Sequence, residues 1–140
     1  MHVEDDSNDA LLFRHACRSA GIDVNLEVAS DGEKALAYLK GTAEFQNRDK
    51  YPFPSLVLLD LKLPLLNGLD ILDWMRNQQE LRRLPVIILS SSNQQADVKR
   101  AYDLGANSFL VKPVGFEGLV DLARIIGQYW LSLNRGPTAG

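Results

Sequence analysis

Residues 56–60 read Leu56-Val57-Leu58-Leu59-Asp60, an unbroken apolar run closed by a carboxylate. An uninterrupted run, unlike an alternating one, suits a strand covered on both faces, as in a parallel sheet. Val86-Ile87-Ile88-Leu89, closed by Ser90, repeats the pattern. Leu26-Glu27-Val28-Ala29 and Ser108-Phe109-Leu110-Val111 are weaker strand candidates, and the stub His2-Val3 makes a fifth.

Helical patterns separate these runs. Leu11, Leu12, His15, Ala16 and Ala20 recur at three-to-four spacing after Ser7, Asn8 and Asp9, which can cap. Asp31-Gly32 opens residues 33–40, and Asn67-Gly68 opens a stretch with Leu69, Leu72, Trp74 and Met75. Asn93 opens residues 94–104, which Gly105 ends in the manner of a helix C-cap. A last helix is expected from about Phe116, with its apolar stripe running through Leu119, Leu122 and Ile126 to Leu133 and a stop at Gly136-Pro137. Strand and helix alternating five times predict an α/β, doubly wound, five-stranded parallel sheet with right-handed crossovers and helices on both faces. Residues 41–54 exceed the usual connection of about 4–6 residues. Arg48-Asp49-Lys50 marks them as a polar surface loop.

The chain has 140 residues and shows no internal repeat or low-complexity tract, so residues 1–140 are expected to form a single domain with no effector domain. Lys plus Arg number 15 and Asp plus Glu 18, a formal charge of -3. That balance argues against a nucleic-acid surface, which is normally a basic patch. Cys17 is the one cysteine, so no internal disulfide is possible and no zinc spacing is present. The apolar runs are far shorter than the ~20 residues of a membrane span. The start MHVEDDSND is acidic where a signal peptide is basic and then apolar. A cytoplasmic protein with neither nucleic acid nor membrane as partner is expected.

Function in such a sheet belongs at the C-terminal ends of the strands. Val3 leads into Glu4-Asp5-Asp6, Leu59 into Asp60, Leu89 into Ser90 and Val111 into Lys112-Pro113. Two carboxylates about 4 Å apart repel by roughly 4 kcal/mol at an effective dielectric near 20. A cluster of Glu4, Asp5 and Asp60 therefore calls for a cation, and carboxylates without nearby His or Cys suit Mg²⁺. A divalent ion, the Lys112 ammonium and the Ser90 hydroxyl around one carboxylate describe a site for a phosphoryl group. The carboxylate facing them, Asp60, is the natural nucleophile. Asp6 reads as a helix N-terminal acid, while His15 and Cys17 read as surface or packing residues.

These motifs, with Leu63-Pro64-Leu65-Leu66-Asn67-Gly68 and Leu89-Ser90-Ser91, resemble the receiver domain of two-component response regulators over nearly the whole chain. The resemblance implies a flavodoxin-like sheet of order 2-1-3-4-5, which is also one of the worked examples of the doubly wound class. It implies Asp60 as phosphoacceptor, with Mg²⁺ held by Glu4, Asp5, Asp60 and the backbone carbonyl of Lys62. Ser90, with Ser91 beside it, would be the switch hydroxyl and Phe109 the switch aromatic. Lys112 would contact the phosphoryl group, ahead of a commonly cis Pro113. Phe109 lacks the hydroxyl of a tyrosine, and Glu4 is longer than an aspartate.

The long loop before Asp60 and the tail Ile126-Gly127-Gln128-Tyr129-Trp130-Leu131 resemble the stand-alone regulators paired with bacterial phytochrome histidine kinases. The partners so implied are a sensor histidine kinase, of phytochrome type by this narrower likeness, a downstream protein target or phosphotransfer protein, and a second copy. Trp130, Tyr129 and Leu133 are the expected partner face. Such a chain is not a turnover enzyme: a phosphatase working through an aspartyl phosphate usually has a second acid two residues after the nucleophile, where Lys62 stands. The competing reading is a phosphorylation-independent binding module.

Overall fold

The apolar runs become strands because their side chains alternate between two separate cores. In a computed structural model, described here for residues 1–136, the elements are β1 (His2–Val3), α1 (Ser7–Ser19), β2 (Val28–Ala29), α2 (Gly32–Lys40), β3 (Val57–Leu59), α3 (Gly68–Arg76), β4 (Val86–Ser90), α4 (Gln95–Asp103), β5 (Ser108–Val111) and α5 (Phe116–Ile126). All five strands run parallel in the order β2-β1-β3-β4-β5. Val57, Leu59, Val86 and Ile88 pack on one face with Leu72 and Met75 of α3. Leu58, Ile87 and Leu89 pack on the other with Phe13 and Ala16 of α1 and Ala123 and Ile126 of α5. Burying each such aliphatic side chain contributes about 1.5–3 kcal/mol, which is why these runs sit in the middle of the sheet.

Side-chain caps start α2 and α3 where the sequence suggests, while α1 is capped by Asp6 and not by the expected Ser7, Asn8 or Asp9. Asp31 Oδ1 accepts from the Lys34 amide at 2.8 Å, and Asn67 Oδ1 from the Leu69 amide at 2.8 Å. Asp6 Oδ1 caps α1 through the amides of Asn8 and Asp9, at 2.9 and 3.1 Å. Asn93 does not cap α4. The cap position falls to Gln94 without a side-chain cap bond, and Ser92 Oγ ties the preceding loop to the helix, accepting from the Gln94 amide at 3.3 Å and donating to Asp97 Oδ2 at 2.7 Å.

Four further local expectations are revised. The strand expected from Leu26 is shorter, because the Leu26 carbonyl accepts from Arg14 Nη2 at 3.1 Å instead of joining the sheet. The loop at 41–54 is not simply polar. The rings of Phe45 and Tyr51 lie 5.0 Å apart and both pack against Tyr38, while the Arg48 guanidinium donates to the carbonyls of Leu39 and Tyr51. The last helix does not continue as a regular α-helix but widens to π geometry across Gly127–Leu133. A side chain at Gly127 would collide with Ile22. Finally, Trp130 packs against the α1–α5 core, whereas Tyr129 and Leu133 face outward. The expected stop at Pro137 lies outside the described residues.

One arginine ties the lower edge together. Arg76 Nε donates to the Gly105 carbonyl at 2.9 Å, its Nη1 to Leu81 and Leu84, and its Nη2 to Asn107 Oδ1 at 3.0 Å. Asn107 Oδ1 also accepts from the Val86 amide at 2.8 Å. The end of α3, the start of β4 and the α4–β5 turn are thereby joined.

Candidate functional site

The sheet register does most of the assembly. Val3 pairs with Leu59 and Leu59 with Ile88, so Glu4, Asp60 and Ser90 emerge at neighbouring strand ends. The Asp60 amide donates to the Val3 carbonyl at 3.2 Å, and the Lys112 amide to the Ser90 carbonyl at 2.8 Å. Parallel pairing thus carries four chemically different side chains to one rim, as the sequence suggests.

Carboxylate oxygens of Glu4, Asp5 and Asp60 lie within 4.8 Å of one another. Glu4 is 2% and Asp60 8% exposed, while Asp5 faces solvent. The Lys112 ammonium bridges the two buried acids, at 2.8 Å from Glu4 Oε2 and 3.3 Å from Asp60 Oδ2. Burial pushes the Glu4 carboxyl up to about 6; Lys112 pulls the other way and the Asp60 charge adds to the rise. Burial alone would lower the Lys112 ammonium, but its bonds and charge interactions with Glu4 and Asp60 outweigh that and raise it. Lys112 is therefore a fixed cation, and the acids around it are crowded.

The donor set is three carboxylates with no sulfur or imidazole among them, which fits a hard divalent cation with oxygen ligands. The Lys62 amide donates to Asp60 Oδ1 at 3.3 Å, curling the chain over that carboxylate, and the Lys62 side chain is exposed. Helix α3 then starts close against the same turn. The Gly68 amide donates to the Leu61 carbonyl at 2.9 Å, and any Cβ on Gly68 would run into the Asp60 carbonyl oxygen. Only glycine fits.

The other expected residues divide. Ser90 is 1% exposed at the end of β4, and its Oγ accepts from the Ser92 amide at 3.1 Å. Ser91 points to solvent. Phe109 is half-buried against the core and stands away from the acid cluster. The expectation of a cis Pro113 is corrected: among the described residues no peptide bond is cis. Gly115, the residue before α5, takes φ +92°, which glycine adopts at no steric cost.

Three residues near the site escaped the sequence reading. Asp9 Oδ2 lies 3.6 Å from the Lys112 ammonium, and its helical spacing after Asp5 was the available signal. His2 is buried, with Nε2 4.0 Å from Glu4 Oε2 and its ring 5.0 Å from that of Phe13. Two-residue periodicity along β1 puts His2 and Glu4 on one face. Tyr102 of α4 accepts a hydrogen bond from the Phe109 amide at 3.2 Å, seven positions along the chain and across the α4–β5 turn.

Comparison with known proteins agrees with this architecture. The family model described as a response regulator receiver domain matches residues 1–124. Response regulator Rcp1 of Synechocystis sp. is 33% identical over 137 residues, covering 98% of this chain and 91% of that protein. Its Mn²⁺-bound crystal structure has a TM-score of 0.86 at 31% identity, covering 98% of this chain and 96% of that one. The phosphorylated cyanobacterial phytochrome response regulator RcpA gives 0.89 at 31% identity, with coverage of 98% and 96%. RPA3017, a response regulator in red light signaling of R. palustris, gives 0.92 at 34% identity, with coverage of 99% and 97%. The chain belongs to the response regulator receiver domain family of two-component signalling proteins.

Proposed function

We propose that this chain is a single-domain response regulator that takes a phosphoryl group from a histidine kinase onto Asp60 in a Mg²⁺-dependent reaction. The observation that carries the reading is the Lys112 ammonium held between Glu4 and Asp60, beside three converging carboxylates. Glu4, Asp5, Asp60 and the Lys62 carbonyl would hold the metal. When bound, Mg²⁺ supplies positive charge for the acid cluster and for the incoming phosphoryl oxygens. An Asp60 carboxylate oxygen bonds to phosphorus as the donor's phosphorus–nitrogen bond breaks, and the imidazole leaves with that electron pair. Lys112 turns from Asp60 to an equatorial phosphoryl oxygen. Ser90 donates its hydroxyl to another, and Phe109 packs inward behind it.

The acyl phosphate brings a charge of about -1.5 to -2 and strong acceptor oxygens to a rim that is already acidic. It shifts a pre-existing equilibrium at the β4–α4 and β5 surface, with coupling of typically 1–3 kcal/mol. Output is contact with a downstream protein, phosphotransfer to another protein, or pairing with a second copy. The exposed Ile125, Tyr129 and Leu133 are the surface suited to that pairing. A phytochrome-type kinase is supported by the phytochrome regulators among the structural neighbours. The chain is a signalling switch, not a turnover enzyme, and works in the cytoplasm with its kinase. No helix among the described residues is long and apolar enough to cross a membrane.

Intact mass after incubation with acetyl phosphate and Mg²⁺ tests the reading. One phosphoryl gain is expected in wild type, abolished by chelator and by Asp60→Asn. No gain even with a kinase present sinks the switch and leaves the binding module.

A further inference from the structure

β5 is an outer strand of the sheet, so every second amide along it lacks a strand partner. The Lys112 amide reaches across to Ser90, and by two-residue periodicity the Phe109 amide faces the open edge. Tyr102 meets it there. Its hydroxyl oxygen accepts from the Phe109 amide at 3.2 Å, while its ring stays 49% exposed on α4. Phe109 itself carries no hydroxyl, so the hydrogen bond at this position comes from the helix, not from the strand. Two elements that the phosphoryl site addresses directly are joined by it: α4, which follows Ser90, and β5, which leads to Lys112.

We propose that Tyr102 is a positioning residue whose hydroxyl latches α4 to the Phe109 amide in the unphosphorylated protein, and that the phosphorylated state is reached by releasing this latch. The proposal rests on the receiver reading of Asp60 given above. A bond present in one state and absent from the other biases the equilibrium toward the first by its full strength. Losing one exposed hydrogen bond of this kind changes an equilibrium by about two- to tenfold.

The test is binding of beryllofluoride with Mg²⁺, as a phosphoryl mimic, to wild type and Tyr102→Phe. The variant keeps the ring and is expected to bind about two- to tenfold tighter, with thermal stability equal or lower. A residue that merely braced the fold would not tighten binding. Wild-type binding with equal or weaker binding by Tyr102→Phe overturns the latch and leaves the receiver reading intact. No binding by wild type overturns both. Should the variant not fold, amide hydrogen exchange of wild type decides. Protection of Phe109 lost on adding the mimic supports the latch, and protection retained overturns it.

Discussion

The Lys112 ammonium sits closer to Glu4, at 2.8 Å, than to the proposed phosphoacceptor Asp60, at 3.3 Å. Its nearer partner is thus an acid of the proposed metal site, and Glu4 keeps that pairing despite a carboxyl raised to about 6 by burial.

Glu4→Gln separates stability from function. A carboxyl raised above its unfolded value contributes stability below about pH 4.5 that is lost as pH rises through about 6. At pH 7 in chelator, Glu4→Gln is therefore expected to be more stable than wild type by about 1 kcal/mol, with the gain gone near pH 4.5. Its Mg²⁺ affinity should fall at least about tenfold. Urea denaturation at the two pH values and calorimetric Mg²⁺ titration give both quantities. A variant less stable at pH 7 would mean that the bond to Lys112 outweighs the burial.

Gly68→Ala should be costly. The added methyl meets the backbone carbonyl of Asp60, which cannot swing aside as a side chain can. A loss of about 2 kcal/mol or more is expected, together with slower phosphoryl uptake, because relief requires α3 to back away from the turn that carries Asp60. Gly136→Ala, where a Cβ meets nothing, is the control and should be neutral. Equal stability of the two variants in denaturant would contradict the close approach.

His2 governs acid sensitivity. Burial lowers its pKa from 6.5 to about 3, and the charges of Lys112 and Arg14 act in the same direction. The unfolded chain takes up its proton first, so this stability is complete above about pH 6.5 and drains away as pH falls toward 3. The slope is at most about 1.4 kcal/mol per pH unit. Its Nδ1 has no hydrogen-bond partner among the described residues, so His2→Leu sacrifices no bond there. The variant should flatten the stability profile between pH 6.5 and 4 in chelator. An unchanged profile would assign the acid sensitivity elsewhere.

The strands were legible where burial acts on both faces. Leu56 to Leu59 and Val86 to Leu89 can be placed without knowing their neighbours, and Asp60 and Ser90 inherit their positions from those runs. Asp31 and Asn67 are caps because a short polar side chain ahead of a helix satisfies its own next amides, a local rule. What stayed hidden depends on contacts far along the chain. Asn93 does not cap α4, whose start at Gln95 is tied to the loop by Ser92 donating its hydroxyl to Asp97. Asp9 joins the site only once β5 delivers Lys112 across the sheet. The room for a side chain at Gly127 is taken by Ile22, 105 positions away in no pattern that periodicity could register.

Arg76 gives α4 a fulcrum. The turn after α4 is fastened through Gly105 and Asn107 to the end of α3 and the first amide of β4, whereas among the described residues the side-chain hydrogen bonds at the opposite end of α4 reach only its own preceding loop, from Ser92 to Asp97 and to the Gln94 amide. A tilt of this helix must therefore pivot at its lower end. Tyr102 lies beside the pivot and Gln95 at the tip of the arm, about 10 Å away at 1.5 Å per residue. A sub-ångström slip near the pivot is thereby geared up to a larger sweep at the tip, where the loop from Ser90 meets solvent.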